Sequence, residues 1–198
     1  RASDTTHEAF SGALDESRVA YSYDSISSVK RGLSTGWAGT YVSEKFPFAY
    51  DYADGDNDAS PAGSHGTHVA GITAATVIKS WVLPPMLRSS LRRLRAAAVA
   101  GIPDSALLGA LDDMADIKPD VVNLSLGRTA GMDSAADTLF AGVYEKLQNN
   151  GTIVDVAVGN EYSAAYGNKS GKNLPYASDP DSSTLGEPST FAPVVSVA

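Results

Sequence analysis

Two stretches decide the fold: Val121-Val122-Asn123-Leu124-Ser125-Leu126-Gly127, and, one helix further on, Thr152-Ile153-Val154-Asp155-Val156-Ala157-Val158-Gly159. Each is a short, mostly β-branched and apolar run closed by glycine, the pattern of a strand feeding a turn. Between them Leu139, Phe140, Val143, Tyr144 and Leu147 recur at helical spacing. Asp133 and Ser134 can cap that helix, and Gly151 stands where a helix ends on glycine. Strand, helix and strand at this spacing predict a parallel sheet covered on both faces, an α/β fold. Ligands in such sheets bind beyond the carboxyl ends of the strands, which points at Ser125-Leu126-Gly127 and at Gly159-Asn160.

Working outward, Asp104 is suited to open a helix carrying Leu107, Leu108, Leu111 and Met114 on one side. Residues 67–75 are small or β-branched and predict a tightly packed helix, with Gly71 expected at a close approach. Residues 194–197 predict a last strand. Residues 1–60, rich in Ser, Asp, Gly and Tyr, predict loops and short strands.

The composition excludes several function classes. A chain of 198 residues with 43% apolar content can build a substantial core, and no apolar run approaches a membrane span. No basic-then-apolar leader opens it, so a signal peptide is expected to be absent or removed. The net charge of −8 argues against nucleic acid as a partner. With no cysteine, disulfides, thiolate catalysis and zinc–thiolate sites drop out, while the compartment stays open. Nothing in the sequence speaks to oligomeric state.

Chemistry concentrates in Gly63-Ser64-His65-Gly66-Thr67-His68-Val69-Ala70-Gly71. A histidine opening a helix beside glycine and small residues keeps its imidazole at the mouth of a site. With an unperturbed pKa near 6.5, such a ring can take a proton from a serine hydroxyl. By spacing alone His65 and His68 also suit a structural role, or a metal site completed by a carboxylate such as Asp54. The second signal is Ala157-Val158-Gly159-Asn160-Glu161, in which an amide just past a strand can donate to a developing oxyanion or simply make a turn. The acidic loop 51–58 could hold calcium weakly, but it lacks a closing glutamate; a solvated loop and no cofactor are the expectation.

Taken in order, His-Gly-Thr-His-Val-Ala-Gly at 65–71, Asn-Leu-Ser-Leu-Gly at 123–127 and Val-Gly-Asn at 158–160 resemble the subtilase family of serine peptidases. Tyr50-Asp51-Tyr52-Ala53-Asp54-Gly55-Asp56 and the long segment after Asn160 resemble its cell-envelope proteinase (lactocepin-like) branch. Gly186-Glu187-Pro188 with Val194-Val195-Ser196-Val197-Ala198 is similar to the family stretch between asparagine and serine. The resemblance implies a three-layer fold on a mostly parallel sheet, incomplete at both ends of this chain. It also implies endopeptidase activity on a polypeptide substrate and a location outside the cell or at the cell wall. His65 would be the catalytic base, His68 a structural residue and Asn160 the oxyanion donor. Ser125, Leu126, Gly127 and Gly159 would line the substrate, with the backbone at 125–127 pairing to it as an added strand.

Three departures qualify this expectation. No Gly-Thr-Ser-Met-Ala-type segment occurs, so the nucleophile is expected outside the chain. Asp4-Thr5-Thr6-His7 lacks the family's Asp-Thr-Gly; aligning His7 with the family's later histidine places the catalytic aspartate before Arg1 and leaves Asp4 noncatalytic. Alone, the chain is therefore expected to be inert. The alternative is a noncatalytic relative that keeps only the peptide groove. Finally, residues 77–100 carry Lys79, Arg88, Arg92, Arg93 and Arg95 and no acidic residue. Codons for residues 82–94 can be chosen so that a frame one nucleotide earlier reads Gly-Ala-Ala-Pro-Asp-Ala-Gln-Ile-Val-Ala-Glu-Lys-Val, close to the family's Ala-Pro run and core strand. A pair of compensating frameshifts is the favoured origin, and a genuine basic insertion, helical over 86–99, the other.

Overall fold

The β-branched runs at the centre of the sequence do form strands. The computed structural model describes residues 3–12, 14, 17, 19–61, 63–75, 103–127, 137–159 and 185–198. The anomalous segment 77–100, the proposed caps Asp133 and Ser134, and Asn160 lie outside the described residues. Element order is a 3-10 turn (Glu8–Phe10), α1 (Tyr23–Lys30), α2 (Ser64–Ala74), α3 (Asp104–Ile117), β1 (Val121–Leu124), α4 (Thr138–Asn149), β2 (Ile153–Ala157) and β3 (Val195–Val197). Helices with a parallel sheet make the fold α/β, as expected. The chain divides into two units, Arg1–Val121 and Val122–Ala198.

In the first unit, α3 buries Ala106, Leu107, Ala110, Leu111, Met114 and Ile117, the helical periodicity expected of it, with Leu108 half-buried at the margin. Asp104 is the first helical residue rather than the cap; Pro103 takes the cap position. An aspartate in the first turn still complements the helix dipole. The helix closes on Lys118 at φ 53. Ile117 packs with Ile26, Leu33 and Phe48, and Tyr21, Val29, Tyr41 and Tyr50 lie against that cluster.

Helix α1 is a correction to the reading of residues 1–60 as loops and short strands. Its serines disguise it, being poor helix formers. In place, Ser22 caps the helix by accepting from the Ser25 N–H at 3.3 Å, and Ser27 donates back to the Tyr23 carbonyl at 2.7 Å. Ile26, fully buried, fastens the helix to the core. Thr40 and Ala49 form an antiparallel bridge. Gly39 is obligatory beside it: at φ +96 a Cβ would lie 2.4 Å from the Phe48 ring. Gly71, expected at a close approach, has open space where a Cβ would go among the described residues.

In the second unit the strand order is β1-β2-β3. β2 and β3 run parallel, with Asp155 opposite Val195 and Ala157 opposite Val197. Asp137 caps α4 by accepting from the Phe140 N–H at 3.1 Å, and Gly151 at φ +82 ends it as expected. Helix α4 buries Phe140, Tyr144 and Leu147, whereas Leu139, expected on that face, is 70% exposed. At about 100° per residue Phe140, Tyr144 and Leu147 fall within about 60° of one another, while Leu139 stands about 100° from Phe140, beyond the margin of that stripe.

Val154 and Val156 are buried while Ile153 is 53% exposed, and every residue of β3 is exposed. Asp155 falls on the Ile153 side and is only half-buried, so its charge keeps contact with water. No helix among the described residues is long and apolar enough to cross a membrane.

Candidate active site

His65 is the second residue of α2 and is exposed, as is His68 one turn on. Gly63, extended at φ −179, leads into the helix without a side-chain cap. Among the described residues, two hydrogen bonds to this turn come from the start of the chain. The Ser3 hydroxyl donates to the Gly66 carbonyl at 2.9 Å, and the Asp4 N–H donates to Thr67 Oγ1 at 2.7 Å. The Asp4 carboxylate is engaged in its own turn. Its Oδ1 accepts from the Thr6 hydroxyl at 2.6 Å and from the Thr6 N–H at 2.9 Å. Those hydrogen bonds to Thr6, with a smaller contribution from His7, hold its carboxyl below the ordinary aspartate value.

In the second unit, Ser125 and Leu126 are half-buried and Gly127 is exposed at the end of β1. Asn123 Nδ2 donates to Ser125 Oγ at 3.0 Å. A Cβ on Gly127 would meet the Glu187 carbonyl at 2.9 Å and the Ala157 carbonyl at 3.9 Å, so only glycine lets these backbones converge. Gly159, exposed at φ +112, turns the chain just beyond β2. Below it the Gly186 N–H donates to the Val158 carbonyl at 2.7 Å, and the Val158 N–H donates to the Val197 carbonyl at 2.9 Å. The ends of β1 and β2 and the Gly186-Glu187 turn therefore meet at one edge, where the sequence placed the substrate-lining residues.

The acidic loop is closed by its own backbone. Asp51 Oδ1 accepts from the Ala53 N–H at 2.9 Å and the Asp54 N–H at 3.2 Å, and Asp56 Oδ1 accepts from the Asp58 N–H at 2.9 Å. Among the described residues no three His, Asp or Glu side chains are grouped to share a metal ion.

A model of the subtilase family matches residues 3–198. The chain belongs to the subtilase family. This subtilase is 28% identical to the PII-type proteinase of Lacticaseibacillus paracasei over 98% of its own length and 10% of that protein's. It is 29% identical to the PIII-type proteinase of Lactococcus lactis subsp. cremoris (strain SK11) over 87% of its own length and 9% of that protein's. Subtilisin DY of Bacillus licheniformis is 28% identical over 76% of this chain and 54% of its own. These relatives support the lactocepin-like branch named from residues 50–56. The subtilase chain thus spans about a tenth of the length of the lactobacillal and lactococcal relatives it matches. Among solved structures, the prenylagaramide maturation protease PagA aligns over 67% of this chain and 41% of its own at 20% identity, with a TM-score of 0.46.

Sequence reasoning missed Ser3 and Thr67. No local pattern could have shown them, because a bond between residues 63 positions apart in the chain has no periodic signature.

Proposed function

We propose that this chain carries the general base and the oxyanion donor of a serine endopeptidase that cleaves polypeptides by acyl transfer. The observation that carries the reading is His65, exposed in the first turn of a helix inside a family match that runs almost end to end. An imidazole so placed can accept the proton of an attacking serine hydroxyl and return it to the leaving amine. Asn160, following the turn at Gly159, would donate to the oxyanion. The exposed backbone at Gly127 would pair with the extended substrate. On this reading the serine and the orienting aspartate would come from sequence other than these 198 residues, in which neither family motif occurs. A location outside the cell or at the cell wall belongs to the same proposal.

The test has two arms. The 198-residue chain alone should leave casein intact and fail to react with a fluorophosphonate probe. The natural gene product that contains this stretch should hydrolyse casein, and His65→Ala should cost it about 10²–10⁴-fold. Unchanged hydrolysis by that variant would remove His65 from the mechanism. A natural product without hydrolysis that still binds unfolded casein would replace the reading with that of a peptide-binding relative.

A further inference from the structure

The first turn of α2 has little of its own to hold it. Among the described residues no side chain caps it, no acidic residue lies in the turn, and Gly66 lowers its helix propensity. Yet this turn carries His65, and a catalytic group works only when held within about 10–20° of its working direction.

The restraint is tertiary. Ser3, 6% exposed, spends its hydroxyl on the carbonyl of Gly66, which is itself buried. Asp4, with its carboxylate committed to Thr6, has its backbone N–H directed at Thr67 Oγ1. These bonds take hold of the two residues immediately after His65. One turn further on, Ala70 is packed with Phe10 and Phe46, whose rings meet edge to face at 5.0 Å. The segment from Ser3 to Phe10 therefore grips the helix twice, by polar contacts beside His65 and by an apolar contact a turn below. Two separated contacts stop both fraying and rotation about the helix axis, which neither could do alone.

We propose that Ser3 and Thr67 are positioning residues that fix the rotation of the first turn of α2 and, through it, the direction of the His65 ring. The proposal rests on the reading of His65 as the base, but its test requires no turnover. In the 198-residue chain, amide exchange and histidine-ring NMR would be compared among wild type, Thr67→Val, Thr67→Ser and Ser3→Ala. Thr67→Val should speed exchange of the Asp4 amide about fivefold, the loss of one ordinary hydrogen bond, and displace the His65 ring resonances. Thr67→Ser should restore both, and Ser3→Ala should displace the ring resonances again. The Ser34 amide, bonded to Asp113 at 2.6 Å in the same unit, reports whether the fold is intact. If Ser34 loses protection in Thr67→Val, Ser3→Ala decides by the same ring shift. A His65 ring unmoved by either substitution, or equally disturbed by Thr67→Ser and Thr67→Val, overturns the proposal. Loss of the protease reading through the activity assay would leave this result standing as the anchoring of an exposed histidine.

Discussion

Tyr144 seals a hydroxyl where it has nothing to bond. The residue is fully buried, its ring centroid lies 5.0 Å from that of Phe191, and its Oη has no hydrogen-bond partner. Burial first, and then the nearby Glu187 and Asp137, push the phenol well above its ordinary pKa, so it stays neutral at any working pH. An unsatisfied buried donor costs desolvation with no return. Tyr144→Phe should therefore leave stability unchanged or raise it by up to about 1 kcal/mol in urea denaturation. A clear loss of stability would mean the hydroxyl has a partner after all. Lys45 poses the same problem with a charge. Its Nζ is buried without a hydrogen-bond partner, 5.8 Å from the centroid of the Phe10 ring, and desolvation lowers its pKa. Between the lowered value and the ordinary one near about 10.4, the unfolded chain holds a proton that the folded chain has released. Stability contributed through Lys45 therefore rises with pH across that window and is poorest below it. The wild type should gain on Lys45→Met as pH climbs towards the ordinary lysine value, read as the difference between their urea midpoints. A constant difference across that range would show that the amine titrates alike in both states.

At the scale of elements, α3 is tied to the preceding loops through one buried carboxylate. Asp113 accepts from the Ser34 N–H at 2.6 Å and from the Tyr52 hydroxyl at 2.6 Å, with the Thr35 hydroxyl at 3.4 Å. Removing the carboxylate leaves a backbone donor and a phenol without their acceptor, so Asp113→Ala should cost about 2–4 kcal/mol. Tyr52→Phe deletes one donor and keeps the packing, and should cost about 1 kcal/mol. Urea denaturation of the two variants checks the order, and an Asp113→Ala as mild as Tyr52→Phe would show that the carboxylate organises nothing beyond Tyr52. None of this network was legible in the sequence, where Asp113 is one acidic residue among several on an amphipathic helix. What could be read was what repeats locally: the β-branched runs of β1 and β2, the apolar spacing of α3, and the Phe140, Tyr144 and Leu147 face of α4. Helix α1 escaped because its serines argue for a loop, and only the burial of Ile26 argues otherwise. The glycines that end β1 and follow β2 were legible as turns, and the structure displays the close approach at Gly127 and the positive φ at Gly159. The grip of Ser3 and Asp4 on α2 was not, since it depends on chain return rather than on pattern.

Across the whole molecule, charge is distributed in a way that folding does not require. A chain of net charge −8 and pI near 4.7 carries, at 77–100, Lys79, Arg88, Arg92, Arg93 and Arg95 without a single acidic residue. The family match runs across this segment, from residue 3 to residue 198. A frame displaced by one nucleotide over residues 82–94 replaces three arginines with one Asp, one Glu and one Lys, and supplies Ala-Pro followed by a β-branched apolar run. Local composition and strand pattern then agree with the rest of the chain, the mutual consistency that foldable sequences show. Genomic sequencing across codons 77–100 should therefore return the displaced frame, bounded by two compensating single-base changes. The natural protein gives an independent answer. Trypsin cutting after Lys79, Arg88, Arg92 and Arg93 would split residues 80–93 of the basic reading into fragments of at most nine residues, whereas the displaced reading, whose one lysine falls at position 93, yields a single longer peptide of 14 residues that carries Asp and Glu. Recovery of that long peptide would make the acidic character continuous through the domain. Recovery of the arginine-bounded fragments would establish the basic block as native, and the function of a cationic segment inside an acidic subtilase would then be sought in what it attracts.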